Sequence, residues 1–260
     1  MEATRASWAR AYIESCSMAH KLSPPPVPEA DGDDPPVRLK APGRPTVLTV
    51  TWDKYKAPRS AAALRDVRKR ASLLHTFLHH ELQAAELMCW AVLAFPDTPR
   101  AFRSGLLNIC VDEARHMRLY AAHLEALGFE VGAFPVRDWF WERAPAAQTA
   151  LSFVALMGLG FEAGNLDHSE RYCTLFSEAG DEAAAALQAQ VGFEERAHVA
   201  FAAHWFRAFS GGLDFSCWCA ALPAPLSPMV MRGRPLARAA RLSAGLDAAF
   251  LDALEAWQPS

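Results

Sequence analysis

An all-α fold built on an antiparallel four-helix bundle is what this sequence predicts. Three observations carry it. Apolar residues recur at helical spacing over four stretches of about 30 residues, each about 45 Å long as a helix. Helix stops and caps separate the stretches, and strand signals are nearly missing.

Taken in order, residues 6–20 can form a short amphipathic helix. Ser23-Pro24-Pro25-Pro26, Pro28, Pro35-Pro36 and Pro42-Gly43 then break any regular element, and Val47–Trp52 reads as a short strand or an extended arm. Residues 21–59 are therefore expected to be an irregular strap. Ser60 caps the first long helix, which Pro96 stops. Thr98-Pro99 opens the second, which runs to Gly128. The third spans about Pro145 to Gly180. Asp181 caps the fourth, which ends at Ser210-Gly211-Gly212. A last amphipathic helix, about Leu236–Trp257, is expected outside the bundle. The expected division is 1–59 for helix and strap, 60–210 for the bundle and 211–260 for the extension.

Composition excludes several classes. The 260 residues are 52% hydrophobic and 21% charged, a globular profile, and the net charge is 26 − 29 = −3. A general nucleic-acid binder would be strongly basic. No apolar run approaches the roughly 20 residues of a bilayer span; Ala150–Phe161 runs straight into Glu162. No secretory signal is read at the N-terminus. Cysteines 16, 89, 110 and 173 lie singly in apolar helical patterns, and Cys217-Trp218-Cys219 lacks partners at zinc-site spacing. Reduced thiols in a cytoplasmic protein are the expectation.

The informative feature is a repeat. Helix two carries Glu113-Ala114-Arg115-His116 and helix four carries Glu195-Arg196-Ala197-His198, both Glu-x-x-His. Residues three apart share a helix face, so each pair can reach one metal. Helices one and three supply Glu81 and Glu162. The spacings match: 113 − 81 = 32 and 195 − 162 = 33. Glu81 shares its face with Leu74, Phe77, Leu78, Ala84, Ala85 and Met88, all apolar. Glu86 shares a face with His79, Leu82, Gln83 and Trp90, which reads as mixed surface. Glu162 follows Val154, Ala155, Gly158 and Leu159. Glu113 lies with Leu106, Ile109, Cys110, Met117 and Tyr120, and Glu195 with Val191, Gly192, Val199 and Ala202.

Four inward carboxylates carry −4 and two divalent cations carry +4. A buried carboxylate without such compensation would rather protonate. With 16 Glu and 9 His, about 0.5 Glu-x-x-His pairs arise by chance, so the matched glutamates and apolar faces carry the weight. A bundle with salt-bridged internal acids needs buried bases, and Arg115 and Arg196 lie off the ligand stripe. Carboxylate and imidazole ligands suit iron or manganese, a mixed pair included.

At these residues the chain resembles the ferritin-like diiron-carboxylate superfamily, whose signature is one Glu from each of two helices and Glu-x-x-His from each of the other two. Asp112-Glu113-Ala114-Arg115-His116 is similar to the Asp-Glu-x-Arg-His form of its oxygenase branch. That resemblance gives Asp112 the role of orienting a ligand histidine, with Glu194 in the matching place. Arg196 stands one position early in the second motif. The run Leu74–Leu87 (LHTFLHHELQAAEL) with Phe95-Pro96-Asp97 resembles the branch catalogued as domain-of-unknown-function family 455, over about residues 5–210. The resemblance implies a ferritin-like bundle with a metal site, similar in architecture to a tRNA-adenosine hydroxylase.

The expected activity is a non-haem diiron oxygenase or oxidase. Two irons, with dioxygen as co-substrate, would oxidise a small organic substrate, most simply by hydroxylation. No dinucleotide fingerprint or iron–sulfur spacing occurs, so an external reductase or ferredoxin is implied. The alternatives are a tRNA-nucleoside hydroxylase, a ferroxidase or iron-handling protein, a manganese catalase, and a purely structural bundle; a homodimer is allowed. Cys110, Tyr120 and Gly158 are candidate cavity residues, each with a plain packing alternative. Gly158, Gly160 and Gly164 either leave space for substrate or let helices approach. His75, His79 and His80, and Asp167-His168, are either helpers of the site or structural contacts. Arg65, Arg68, Lys69 and Arg70, with Arg232, Arg234, Arg238 and Arg241, are either solvated faces or an anion or RNA site.

Overall fold

A computed structural model describes residues 3–32 and 34–259; Met1, Glu2, Asp33 and Ser260 of the expected strap and tail lie outside the described residues. Among the described residues the regular structure is helical, with one isolated parallel bridge between Val50 and Val136. The 47–52 segment is thus an extended arm, held by Thr51 N–H on the Val136 carbonyl and Val136 N–H on the Thr49 carbonyl. The chain divides into two compact units, Met1–Pro145 and Ala146–Ser260, a boundary that falls inside the expected 60–210 segment.

In the first unit, α1 spans Arg5–Glu14 and α2 Met18–Leu22. The single helix expected over 6–20 is split because Ser17 caps a new start by accepting from the His20 N–H. Ser60 caps only the short α3, Ala61–Leu64. Asp66 then restarts the chain as α4, Val67–Ala94, accepting from the Arg68 and Lys69 N–H groups. α5 spans Arg100–Ala126 with Pro99 itself at the cap position. Thr98 does not cap it, since its hydroxyl donates to the Phe95 carbonyl at 2.7 Å. Gly128, at φ +81°, ends this stretch. Every residue from Glu81 to Phe95 is buried. A helix covered on all sides needs a second cover besides its partner helix, and the strap supplies it: Trp90 Nε1 donates to the Leu39 carbonyl, and Val37 N–H to that of Leu93.

In the second unit, Thr149 caps α6, Ala150–Leu156. A wider π-helical turn, Met157–Glu162, joins it to α7, Ala163–Glu178. α8, Glu182–Ser210, starts at the expected Asp181 cap and ends at Gly211, φ +81°. Among the described residues three shorter α-helices follow: α9 Phe215–Ala221, α10 Arg238–Ser243 and α11 Ala248–Ala256. The one helix expected over 236–257 is cut by Gly245, at φ +89°, and restarted by the Asp247 cap. Trp218 of α9 and Phe250 of α11 meet at 5.4 Å between rings.

Candidate metal centre

Each unit builds one triad. In the first, Glu81 lies 94 − 81 = 13 residues before the end of α4, and Glu113 lies 113 − 100 = 13 residues after the start of α5. The two helices are joined by a short turn, so equal offsets put both acids at one level. His116 follows Glu113 by three residues on the same face. One ligand atom each from Glu81, Glu113 and His116 lie within 4.8 Å of one another. His116 Nδ1 is 2.9 Å from Glu113 Oε2.

In the second unit, Glu162 closes the π turn, and Glu195 and His198 stand on α8. One ligand atom each from these three also lie within 4.8 Å of one another. His198 Nδ1 is 2.8 Å from Glu195 Oε2, and Asn165 Nδ2 donates to Glu195 Oε1 at 3.3 Å. Asn165 lies outside the Glu-x-x-His pattern; its place three residues after Glu162 is the sequence signal that points to it. All six triad residues are at most 4% exposed.

The π turn at Glu162 lies where this helix is closely packed. A Cβ on Gly158 would lie 2.2 Å from the Ala202 Cβ, and one on Gly160 would lie 2.6 Å from Met231 Sδ. The glycines therefore let α8 and the Met231 segment approach closely, and at Gly158 the packing reading holds over that of open space. Trp218 Nε1 donates to the Ala155 carbonyl at 2.9 Å, just before the widened turn. Turns of this kind often mark functional positions in helices.

Two carboxylates and one imidazole per triad fit one divalent cation. Ligand atoms on a common cation at about 2.1 Å are no more than about 4.2 Å apart, so atoms that lie within 4.8 Å of one another need at most small side-chain rotations. Two carboxylates match the +2 charge, and burial excludes competing water.

Other expected residues fall as follows. Asp112 pairs with Arg115 at 3.6 Å, and Glu194 accepts from Gln190 at 3.3 Å. Cys110 is buried against Cys89, and Tyr120 is buried beside Phe77 at 6.0 Å between rings. Arg196 lies over the exposed Phe193 ring. The histidines before Glu81 hold the loop after α5. His75 Nε2 accepts the Gly132 N–H at 2.8 Å, His79 contacts Asp138 at 2.9 Å, and His80 stacks on Phe140. Burial, with His79 nearby, lowers the His75 pKa to about 4. Burial raises that of Asp138, but hydrogen bonds from His79 and Arg44 outweigh it and bring it to about 2. Asp167 is taken by Arg241 in a buried two-pronged pair and by the Gly233 and Ala237 N–H groups. Arg238 pairs with Asp252 and Glu255, and Arg232 donates to carbonyls ending α11. These three arginines are engaged within the second unit, which removes much of the basic face expected there.

The reading of Glu86 as surface is overturned. Glu86 is fully buried, with Lys21 Nζ at 2.8 Å, Arg44 Nη1 at 2.6 Å and Trp141 Nε1 at 2.8 Å. Its partners lie in the first 44 residues and in the loop after α5, beyond the reach of helix-face arithmetic.

The chain matches, over residues 2–252, the model of a family described as "Protein of unknown function (DUF455)". It is 29% identical over 170 residues to an uncharacterised protein of Haemophilus influenzae, across 58% of this chain. It spans 59% of that relative's length. No solved structure matches. Among the described residues no helix is long and apolar enough to cross a membrane.

Proposed function

The chain belongs to the DUF455 family, and we propose that it is a non-haem diiron oxygenase or oxidase acting on a small organic substrate. The observation that supports this best is the duplicated triad: Glu81, Glu113 and His116 in one unit, Glu162, Glu195 and His198 in the other, each buried and converging. The finer architecture, a ferritin-like bundle that holds two metal ions, is part of the same proposal. It draws on the equal spacings and the −4 to +4 charge match.

When bound, ferrous iron would supply the electrons that activate dioxygen. The chain's own residues have distinct tasks. Glu113 and Glu195 offer Oε2 beside the Nδ1 of His116 and His198, so each motif presents two donors to one point. Asn165 steadies Glu195 from the side. Asp112 and Glu194 are proposed to orient the imidazoles. The apolar residues flanking Glu81 and Glu162 keep water from the reacting oxygen. An external reductase or ferredoxin supplies further electrons, and manganese in one or both positions is the alternative metal content.

Anaerobic protein loaded with ferrous iron and mixed with labelled dioxygen tests the reading. Rapid oxygen uptake, coupled to an added electron donor and to label appearing in an organic product, is the expected result. Slow oxidation that builds a ferric mineral would assign the protein to iron storage, and fast peroxide breakdown by a manganese form to a catalase.

A further inference from the structure

Two thiols in the first unit have no part in the proposed reaction. Cys89 of α4 and Cys110 of α5 face each other with 3.4 Å between sulfurs, and both are wholly buried. A disulfide needs about 2.05 Å, so the sulfurs must close by about 1.4 Å, a change within reach of side-chain rotation. Burial, followed by the Cys89 hydrogen bond, raises the Cys110 pKa, so Cys110 rests as a thiol. Full burial shields both thiols from a bulky thiol reagent, so the oxidant to consider is a small uncharged one such as hydrogen peroxide.

We propose that Cys89 and Cys110 are an oxidative modification site, converted by hydrogen peroxide to a disulfide that ties α4 to α5. One sulfur gives up its proton and attacks the peroxide O–O bond, forming a sulfenic acid and releasing water. The second sulfur displaces the sulfenic oxygen, which leaves with the remaining proton as a second water. Two thiols and one peroxide thus give one disulfide and two waters, with the sulfur pair oxidised by two electrons. The cross-link falls three residues before Glu113, so it would pin α5 beside the first triad. The reaction itself requires no metal.

The test uses the full chain with Cys16, Cys173, Cys217 and Cys219 replaced by serine, so that only this pair remains. After peroxide treatment, blocking and unfolding, both thiols should be lost. The chain should be lighter by two hydrogens, with the Cys89 and Cys110 peptides joined until reduced. A bulky maleimide added to the native protein should leave both thiols intact. Cys89→Ala should abolish the cross-link. If the serine variant fails to fold, peptide mapping of the six-cysteine protein gives the same readout. Two titratable thiols after peroxide, or sulfinic and sulfonic acids without a cross-link, would overturn the proposal.

Discussion

Glu81 and Glu86 stand five residues apart on α4 and both are buried, yet they keep different company. Glu86 is met by two cations and an indole N–H. Glu81 converges with a second carboxylate and an imidazole. Burial alone therefore does not separate a structural acid from a ligand; the charge of the surrounding groups does. A carboxylate between Lys21 and Arg44 is already compensated and has no reason to hold a metal. A carboxylate beside another carboxylate is stabilised when a cation enters.

The largest expected effect breaks the structural side of this comparison. Glu86→Ala leaves Lys21 buried, with its charge no longer answered, and should cost about 3–5 kcal/mol in urea unfolding. Metal bound per folded chain should stay unchanged. A variant that is equally stable would show that the Lys21–Glu86 contact holds nothing.

Acid should act through the histidines on the same helix. His75 has its folded pKa lowered to about 4 from 6.5, so the unfolded chain takes up the proton first. Stability should then fall as pH drops from about 6.5 to 4, by about 3 kcal/mol, and level off below. His75→Gln should flatten that slope. Asp138, lowered to about 2 from 3.8, adds a further loss between those values, since its stabilising charge is present above them.

Gly158 and Glu162 repeat the contrast in the second unit. Gly158→Ala forces a Cβ against Ala202 and should cost about 1–3 kcal/mol, with metal binding per folded chain retained. Gly160→Ala should cost less, because the Met231 side chain can move. The smallest stability effect is expected from Glu113→Ala in metal-free protein: removing one of two neighbouring carboxylates should be within about 1 kcal/mol of neutral, or stabilising. Calorimetry of the metal-free variants separates it from Glu86→Ala.

The long helices and the triads were legible because both rest on short-range rules. Caps and stops at Asp181, Gly128, Gly180 and Gly211 act within a turn or two, and Glu-x-x-His is a single-face spacing. Glu86 was misplaced because Lys21 and Arg44 lie 86 − 21 = 65 and 86 − 44 = 42 residues away, in a strap whose proline content says only that it is irregular. The close packing at Gly158 and Gly160 is illegible for a similar reason. Gly158 and Gly160 are visible in the sequence, but the Ala202 and Met231 atoms that require them are not. The breaks at Asp66 and Gly245 use ordinary cap and stop residues, but the apolar periodicity continues across them and hides them in the sequence.

Metal uptake tests the central claim most directly. Metal-free protein titrated anaerobically with ferrous iron, then freed of unbound metal, should retain about two ions per chain and melt at a higher temperature. Glu113→Ala and Glu195→Ala should each lose at least one of those ions, while Glu86→Ala keeps both. Unchanged uptake in the Glu113 and Glu195 variants, or no retained metal in the unaltered chain, would contradict the account.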